Sequence, residues 1–154
     1  MAGLFEELAT DEQHLTTQRG TARLWALAPT VCVTSFAGHM DEAHGELFMR
    51  FAERRLREAT GRIHVFNDWT AMTGYDSQCR TRLTSWSMAN LPAYGEVHMA
   101  VRSKIVAMGV QVANLALGGK VRVHASRVRL EVELRRALKA SEGSFPAAQV
   151  VRQR

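Results

Sequence analysis

The sequence predicts an α/β domain with a mostly parallel sheet of four to five strands and four helices. Three observations predict it. Apolar spacing switches along the chain between a two-residue and a three-to-four-residue period, giving the order β-β-α-β-α-β-α-β-α. Helix-start residues stand at the switches, with Asp41, Asp76 or Ser77, Ser103 and Ser126 opening helical patterns. Strands that alternate with helices are joined by right-handed crossovers and therefore run parallel. A length of 154 residues at 46% hydrophobic content is enough for one such core.

Residues 1–20 are polar and weakly patterned and read as an N-terminal arm. From Thr21 the chain is β-rich. Residues 23–27 and 31–36 flank Ala28-Pro29-Thr30, the pattern of two strands joined by a tight turn, and Gly38 closes the second. Asp41 opens the first helix, with Glu42 in its first turn where the helix dipole favours acids. Leu47, Phe48, Phe51, Ala52, Leu56 and Ala59 form its buried stripe, and Gly61 stops it. Residues 62–68 alternate and form the central strand, followed by a short polar turn containing Gly74. Cys79, Leu83 and Trp86 then recur at i, i+4 and i+7 on a second helix that ends near Asn90, with Pro92 beyond. Residues 96–102 alternate again.

Ser103 caps a third helix, residues 104–117, which ends at Gly118-Gly119. It is apolar nearly all round, and such a helix is buried or covered by a partner. Self-association through this helix or the one before it is the expectation. Residues 121–125 form the last strand, and Ser126 caps a final helix with Leu130, Leu134, Ala137 and Leu138 inward. The alternation of Val128, Leu130, Val132 and Leu134 also admits a strand there. The domain thus spans residues 21–140, and residues 141–154, with Gly143 and Pro146, read as a flexible tail.

Net charge is +5, with 15 acidic residues against 20 basic ones. Glu46 and Arg50, Glu53 and Arg57, and Glu131 and Arg135 are i, i+4 pairs with the acid first, which marks solvated helix faces. With no stacking-aromatic motif and no lysine-rich tract, a nucleic-acid partner is not indicated. Cys32 and Cys79 lie far apart in apolar patterns and form no Cys-x-x-Cys, so neither a zinc site nor a disulfide framework is indicated. Both read as small buried hydrophobes in a reducing cytoplasm. The N-terminus lacks a basic region followed by a long apolar one, so no signal peptide is read. The longest apolar run, residues 105–117, is too short to span a bilayer. No cofactor motif and no Gly-rich phosphate loop is present, and Gly109 inside the third helix reads as a close-packing position.

The junction of the central strand and the second helix carries a family pattern. Ile63-His64-Val65-Phe66-Asn67-Asp68, a loop, and Tyr75-Asp76-Ser77 at a helix start resemble the centre of the STAS domain, the SpoIIAA-like fold of bacterial anti-sigma-factor antagonists. Gly38 followed by Asp41 and the element order from Thr21 to Ala140 fit the same family. The resemblance implies a βα superhelical topology with strands adjacent in chain order. It also implies a protein-binding surface, with a possible phospho-switch, at Asp68, Tyr75, Asp76, Ser77 and Arg80. The antagonists continue Asp-Ser with a second small residue, the phosphorylated one, and a glycine. Gln78-Cys79 stand there instead, closer to STAS-like single-domain proteins associated with apolar ligands.

Three strands carry a central histidine, His64, His98 and His124. With strands adjacent in chain order, Arg62, Glu96 and Arg122 share one row and the histidines the next, with Ile63, Val65, Val97, Met99, Val101, Val121 and Val123 on the opposite face. The plain reading is a solvent-facing side tied by cross-strand pairs. The functional one is a histidine ladder for a metal, an anion or a pH-dependent partner. His39-Met40-Asp41-Glu42-Ala43-His44 does not match His-Glu-x-x-His and falls where a helix start expects acids, so no metal site is read there. Cys79 shares a domain with His64 and His98, but a thiol on a core stripe is inert.

The expectation is therefore a non-enzymatic STAS-like interaction domain in bacterial signalling, with no cofactor and no metal. It would bind a protein partner, or a second copy, near the start of the second helix. The alternative is a carrier of an apolar small molecule or lipid, using space beneath the third helix.

Overall fold

Neighbours in sequence are neighbours in the sheet. The computed structural model describes residues 11–144. Its strands lie in the order β1 (Asp11–Thr16), β2 (Gly20–Ala28), β3 (Val31–Met40), β4 (Ile63–Tyr75), β5 (Tyr94–Val101) and β6 (Val121–His124). β1, β2 and β3 pair antiparallel, while β3, β4, β5 and β6 pair parallel. The helices are α1 (Glu42–Glu58), α2 (Ser77–Ala89), α3 (Lys104–Ala116) and α4 (Arg127–Ser144), with a short 3-10 turn at Leu91–Ala93. The crossover helices α1, α2 and α3 cover one face, where Leu47, Phe48, Phe51, Cys79 and Val106 meet Leu24, Phe36, Met72 and Met99. α4 covers the other, setting Leu130 and Leu134 against Trp25, Val33, Phe66 and Ala100.

The sheet is mixed and six-stranded rather than mostly parallel with four to five strands. The added strand, β1, lies in the stretch expected as an arm. It is an edge strand, so one polar side meets water and its composition reads as a loop. Leu15 packs on the main core, and Glu12 accepts from Arg23 on β2 at 2.6 Å. Residues 1–10 of the expected arm lie outside the described residues. At the other end, residues 141–144 of the expected tail belong to α4, and residues 145–154 lie outside the description. The strand alternative for Val128 to Leu134 is overturned: the segment is helical, and Val128 and Val132, which a strand would set on one face with Leu130 and Leu134, are exposed while those two leucines are buried.

Two further boundaries moved. Gly38 does not close β3. It sits within the strand at φ 96, in the left-handed region that glycine tolerates, beside a register shift, and β3 runs on to Met40. β4 follows it: Trp69 to Gly74, expected as a polar turn, extend the strand to Tyr75. Thr70 and Thr73 are polar but β-branched, and buried Met72 lies between exposed Ala71 and Thr73, the alternation a strand requires.

The starts of α1 and α3 behave as expected. Asp41 accepts from the His44 backbone N–H at 3.2 Å, while His44 Nδ1 accepts from the Asp41 N–H at 3.1 Å, a reciprocal cap with histidine in the place of the usual glutamate. The buried His44 ring also donates to the Gly20 carbonyl at 3.0 Å, so it is fully used in structure. Ser103 caps α3 through the Val106 N–H.

Candidate functional site

α1, α2 and α3 do not close completely over the sheet. Between them lies a cavity of about 190 Å³. Its floor is Val65, Asn67, Trp69 and Met99, and its walls include Phe48 of α1, Leu83 and Trp86 of α2, and Val106, Val110 and Ala113 of α3. The polar atoms of the floor satisfy one another. Thr34 Oγ1 donates to Asn67 Oδ1 at 2.6 Å and accepts from Trp69 Nε1 at 3.1 Å, and Asn67 Nδ2 donates to the His98 carbonyl at 3.1 Å. Among the described residues no carboxylate lines the cavity, but two cations do, Arg80 and Lys120.

This places two expected switch residues in a different setting. Tyr75 lines the cavity, and its ring lies against Gly109, where an added Cβ would stand 2.3 Å from the phenol oxygen. Arg80 lines the cavity as well. Asp68 is buried inside β4 on the α4 side, where it accepts from Thr70 Oγ1 at 2.7 Å and pairs with Arg127 at 3.2 Å. The structure therefore does not bring Asp68, Tyr75, Asp76, Ser77 and Arg80 onto one surface.

Asp76 and Ser77 remain together at the start of α2. Asp76 occupies the N-cap position, but its carboxylate makes no cap hydrogen bond. It accepts from the His39 ring at 2.9 Å and from Arg19 at 3.1 and 3.2 Å. The His39 hydrogen bond, then the Arg19 charge, hold its pKa below the usual carboxylate value. Ser77 and Gln78 are exposed beside it, in a shallow cleft shared with Asp41, Glu42 and Ala43 at the start of α1. The surroundings of Ser77 are thus acidic. Cys79, one turn in, is buried, and burial followed by the charges of Asp76, Asp41 and Glu42 pushes its thiol up to about 11. Such a thiol is not a nucleophile.

The three histidines do not form a ladder, and their face is not solvent-facing. β5 and β6 pair with His98 opposite Arg122, and β4 pairs Phe66, not His64, with His98. Phe66, His98 and His124 therefore make the stacked column, at 5.0 and 5.2 Å between ring centres. His98 is fully buried, bonded to His124 at 2.9 Å and to Glu96 at 3.1 Å. His64 stands apart and accepts from the Glu96 backbone N–H at 2.9 Å. Glu96 pairs with Arg122 at 3.3 Å, while Arg62 precedes β4, is exposed, and does not reach it. The error was in register: β4 is offset from β5, so residues alike in sequence position are not alike in row. Among the described residues no cluster of histidine, cysteine or carboxylate side chains could hold a metal ion.

Sequence reasoning missed Arg19 and His39 as partners of Asp76, and Lys120 as a cavity cation. Only the apolar third helix pointed toward the cavity. No protein-family model and no curated protein matches the chain. A solved structure does match in fold: an uncharacterized protein of the DUF3478 family with a SpoIIAA-like fold from Shewanella loihica PV-4. It is 13% identical, with a TM-score of 0.54, over 80% of this chain and 92% of that one. Parallel strands adjacent in chain order, with three crossover helices on one face and a last helix on the other, are thus the SpoIIAA-like fold.

Proposed function

We propose that the chain works by binding rather than catalysis, and that it holds a small apolar molecule with an anionic end between its sheet and helices α1, α2 and α3. The cavity carries this reading. Protein interiors are packed like organic crystals, with few voids larger than a water. A part-open apolar cavity of this size leaves its lining side chains short of packing partners, which a bound apolar molecule would supply. A dry apolar cavity of about 150 Å³ is already enough to bind benzene in another protein. Arg80 and Lys120, with no lining carboxylate among the described residues, favour an anionic end.

The test uses the neutral fluorophore phenylnaphthylamine. Purified protein should enhance its emission, and dodecanoate should displace it more tightly than dodecanol. Arg80→Gln with Lys120→Gln should weaken dodecanoate about tenfold while sparing dodecanol. No uptake of any of the three probes would sink the reading.

A second reading, protein binding at the start of α2, is favoured by the exposed cleft of Asp41, Glu42, Asp76, Ser77 and Gln78. Its charge fits a basic segment of a partner. Ser77→Asp and Ser77→Asn test whether Ser77 is a switch there. Asn keeps hydrogen-bonding ability without charge. A partner lost or gained with Asp alone, at constant melting temperature, supports a switch, and two wild-type-like variants remove it.

A further inference from the structure

We infer that the outer face of α3, with the cations at its start, docks on an anionic phospholipid surface. The inference goes beyond the cavity reading and does not need the cavity to be filled.

Charge is segregated in the chain. None of its 15 acidic residues lies between Glu96 and Glu131, a stretch that holds Arg102, Lys104, Lys120, Arg122, Arg127 and Arg129. Arg122 is paired with Glu96, and Arg127 with Asp68 and Glu131. Arg102 and Lys104 at the start of α3 are exposed and make no ion pair among the described residues, while Lys120 just past its end lines the cavity. Beyond the two exposed cations Ile105, Met108, Val112 and Leu115 form one outward stripe, exposed by 62, 64, 54 and 84%. Val106 and Gly109 are buried on the inner face of the helix, and the opposite stripe faces outward from the chain. At 1.5 Å per residue the stripe runs about 15 Å.

A second copy fits this face poorly. A parallel α3 pair would set Arg102 and Lys104 near their equivalents, and an antiparallel pair would set them against a helix end that carries no carboxylate. Neither arrangement gives these cations a counter-charge. An anionic bilayer complements both features. The apolar stripe enters the acyl boundary while the terminal cations meet lipid phosphates. No described helix is long and apolar enough to cross a membrane, so the contact would be superficial. The opposite side of α3 lines the cavity, which sets a docked bilayer one helix away from it.

Vesicle co-sedimentation of the full chain tests this. Vesicles of phosphatidylcholine with phosphatidylglycerol should bind it, vesicles of phosphatidylcholine alone should not, and added salt should weaken binding. Val112→Asp with Leu115→Asp should abolish it, and Arg102→Glu with Lys104→Glu should weaken it about tenfold or more. All four positions are exposed, so both variants should keep the wild-type circular dichroism and melting temperature. Ala113→Leu, which narrows the cavity, should still bind vesicles, so docking and cavity fail separately. Equal binding to both vesicle types, or undiminished binding by V112D/L115D, overturns the inference. So does a concentration-dependent dimer in ultracentrifugation that this variant abolishes, which would give the stripe to a second copy. Failure to bind vesicles, with stoichiometric capture of an acidic protein lost in the same variant, would give it to that protein.

Discussion

Gly109 is fixed by what stands opposite it. A Cβ there would lie 2.3 Å from Tyr75 Oη and 2.6 Å from its Cζ, far inside contact distance. Alanine would improve helix propensity by about 1 kcal/mol, but overpacking costs about 1–3 kcal/mol. Gly109→Ala should therefore destabilise in urea unfolding, and Gly109→Ala with Tyr75→Leu should recover the loss. The buried column gives a second residue-scale prediction. Burial first, then the His98 charge, lowers the His124 pKa below 6.5. A depressed histidine favours the neutral form in the fold, so its contribution is present above the unfolded value of 6.5 and is lost as pH falls through the lower folded value. Glu96, lowered from 4.5 chiefly by its hydrogen bond from His98, loses its contribution further down, as pH falls below 4.5. His124→Gln keeps a hydrogen-bonding group at that place without a titrating one. Its urea midpoint should vary less than wild type between about pH 7 and pH 5, and an unchanged slope would refute the assignment.

At the scale of elements, the sequence was read well wherever one rule governs. Ser103 and Gly118-Gly119 bracket α3 because a hydroxyl cap and positive-φ glycines act locally, with φ 64 and 76 at the glycines. β1 and the second half of β4 were hidden because their residues are polar on one side. Their pairing depends on the neighbouring strand, which no local window contains. The α3–β6 joint is held by one side chain seven residues away. Asn114 Nδ2 donates to the Val121 carbonyl at 2.9 Å, and its Oδ1 accepts from the Val121 N–H at 2.8 Å. β6 is a short edge strand, held by β5 on one side only. Asn114→Ala should remove about 1–3 kcal/mol and raise amide exchange in β6 more than in β3. Equal exchange in both would show that the clamp is dispensable.

For the whole molecule, strand order and helix placement were legible, because chain-adjacent parallel strands with right-handed crossovers leave few alternatives. The cavity was legible only as a helix with too many apolar faces, since a void is a property of shapes that no single residue reports. Its emptiness makes a signed prediction. Ala113 sits on the cavity side of α3 with space before it. In a filled core, Ala113→Leu would be overpacked and would lose about 1–3 kcal/mol. In an empty cavity the added side chain gains contacts and buries apolar area, so stability should rise by about 0.5–2 kcal/mol. Phenylnaphthylamine uptake should fall in the same variant, because the side chain and the probe compete for one volume. Leu83→Ala, on the facing helix, provides the opposite sign: stability should drop by about 2–5 kcal/mol while uptake persists. A destabilised Ala113→Leu that still takes up the probe would place the bound molecule elsewhere in the fold.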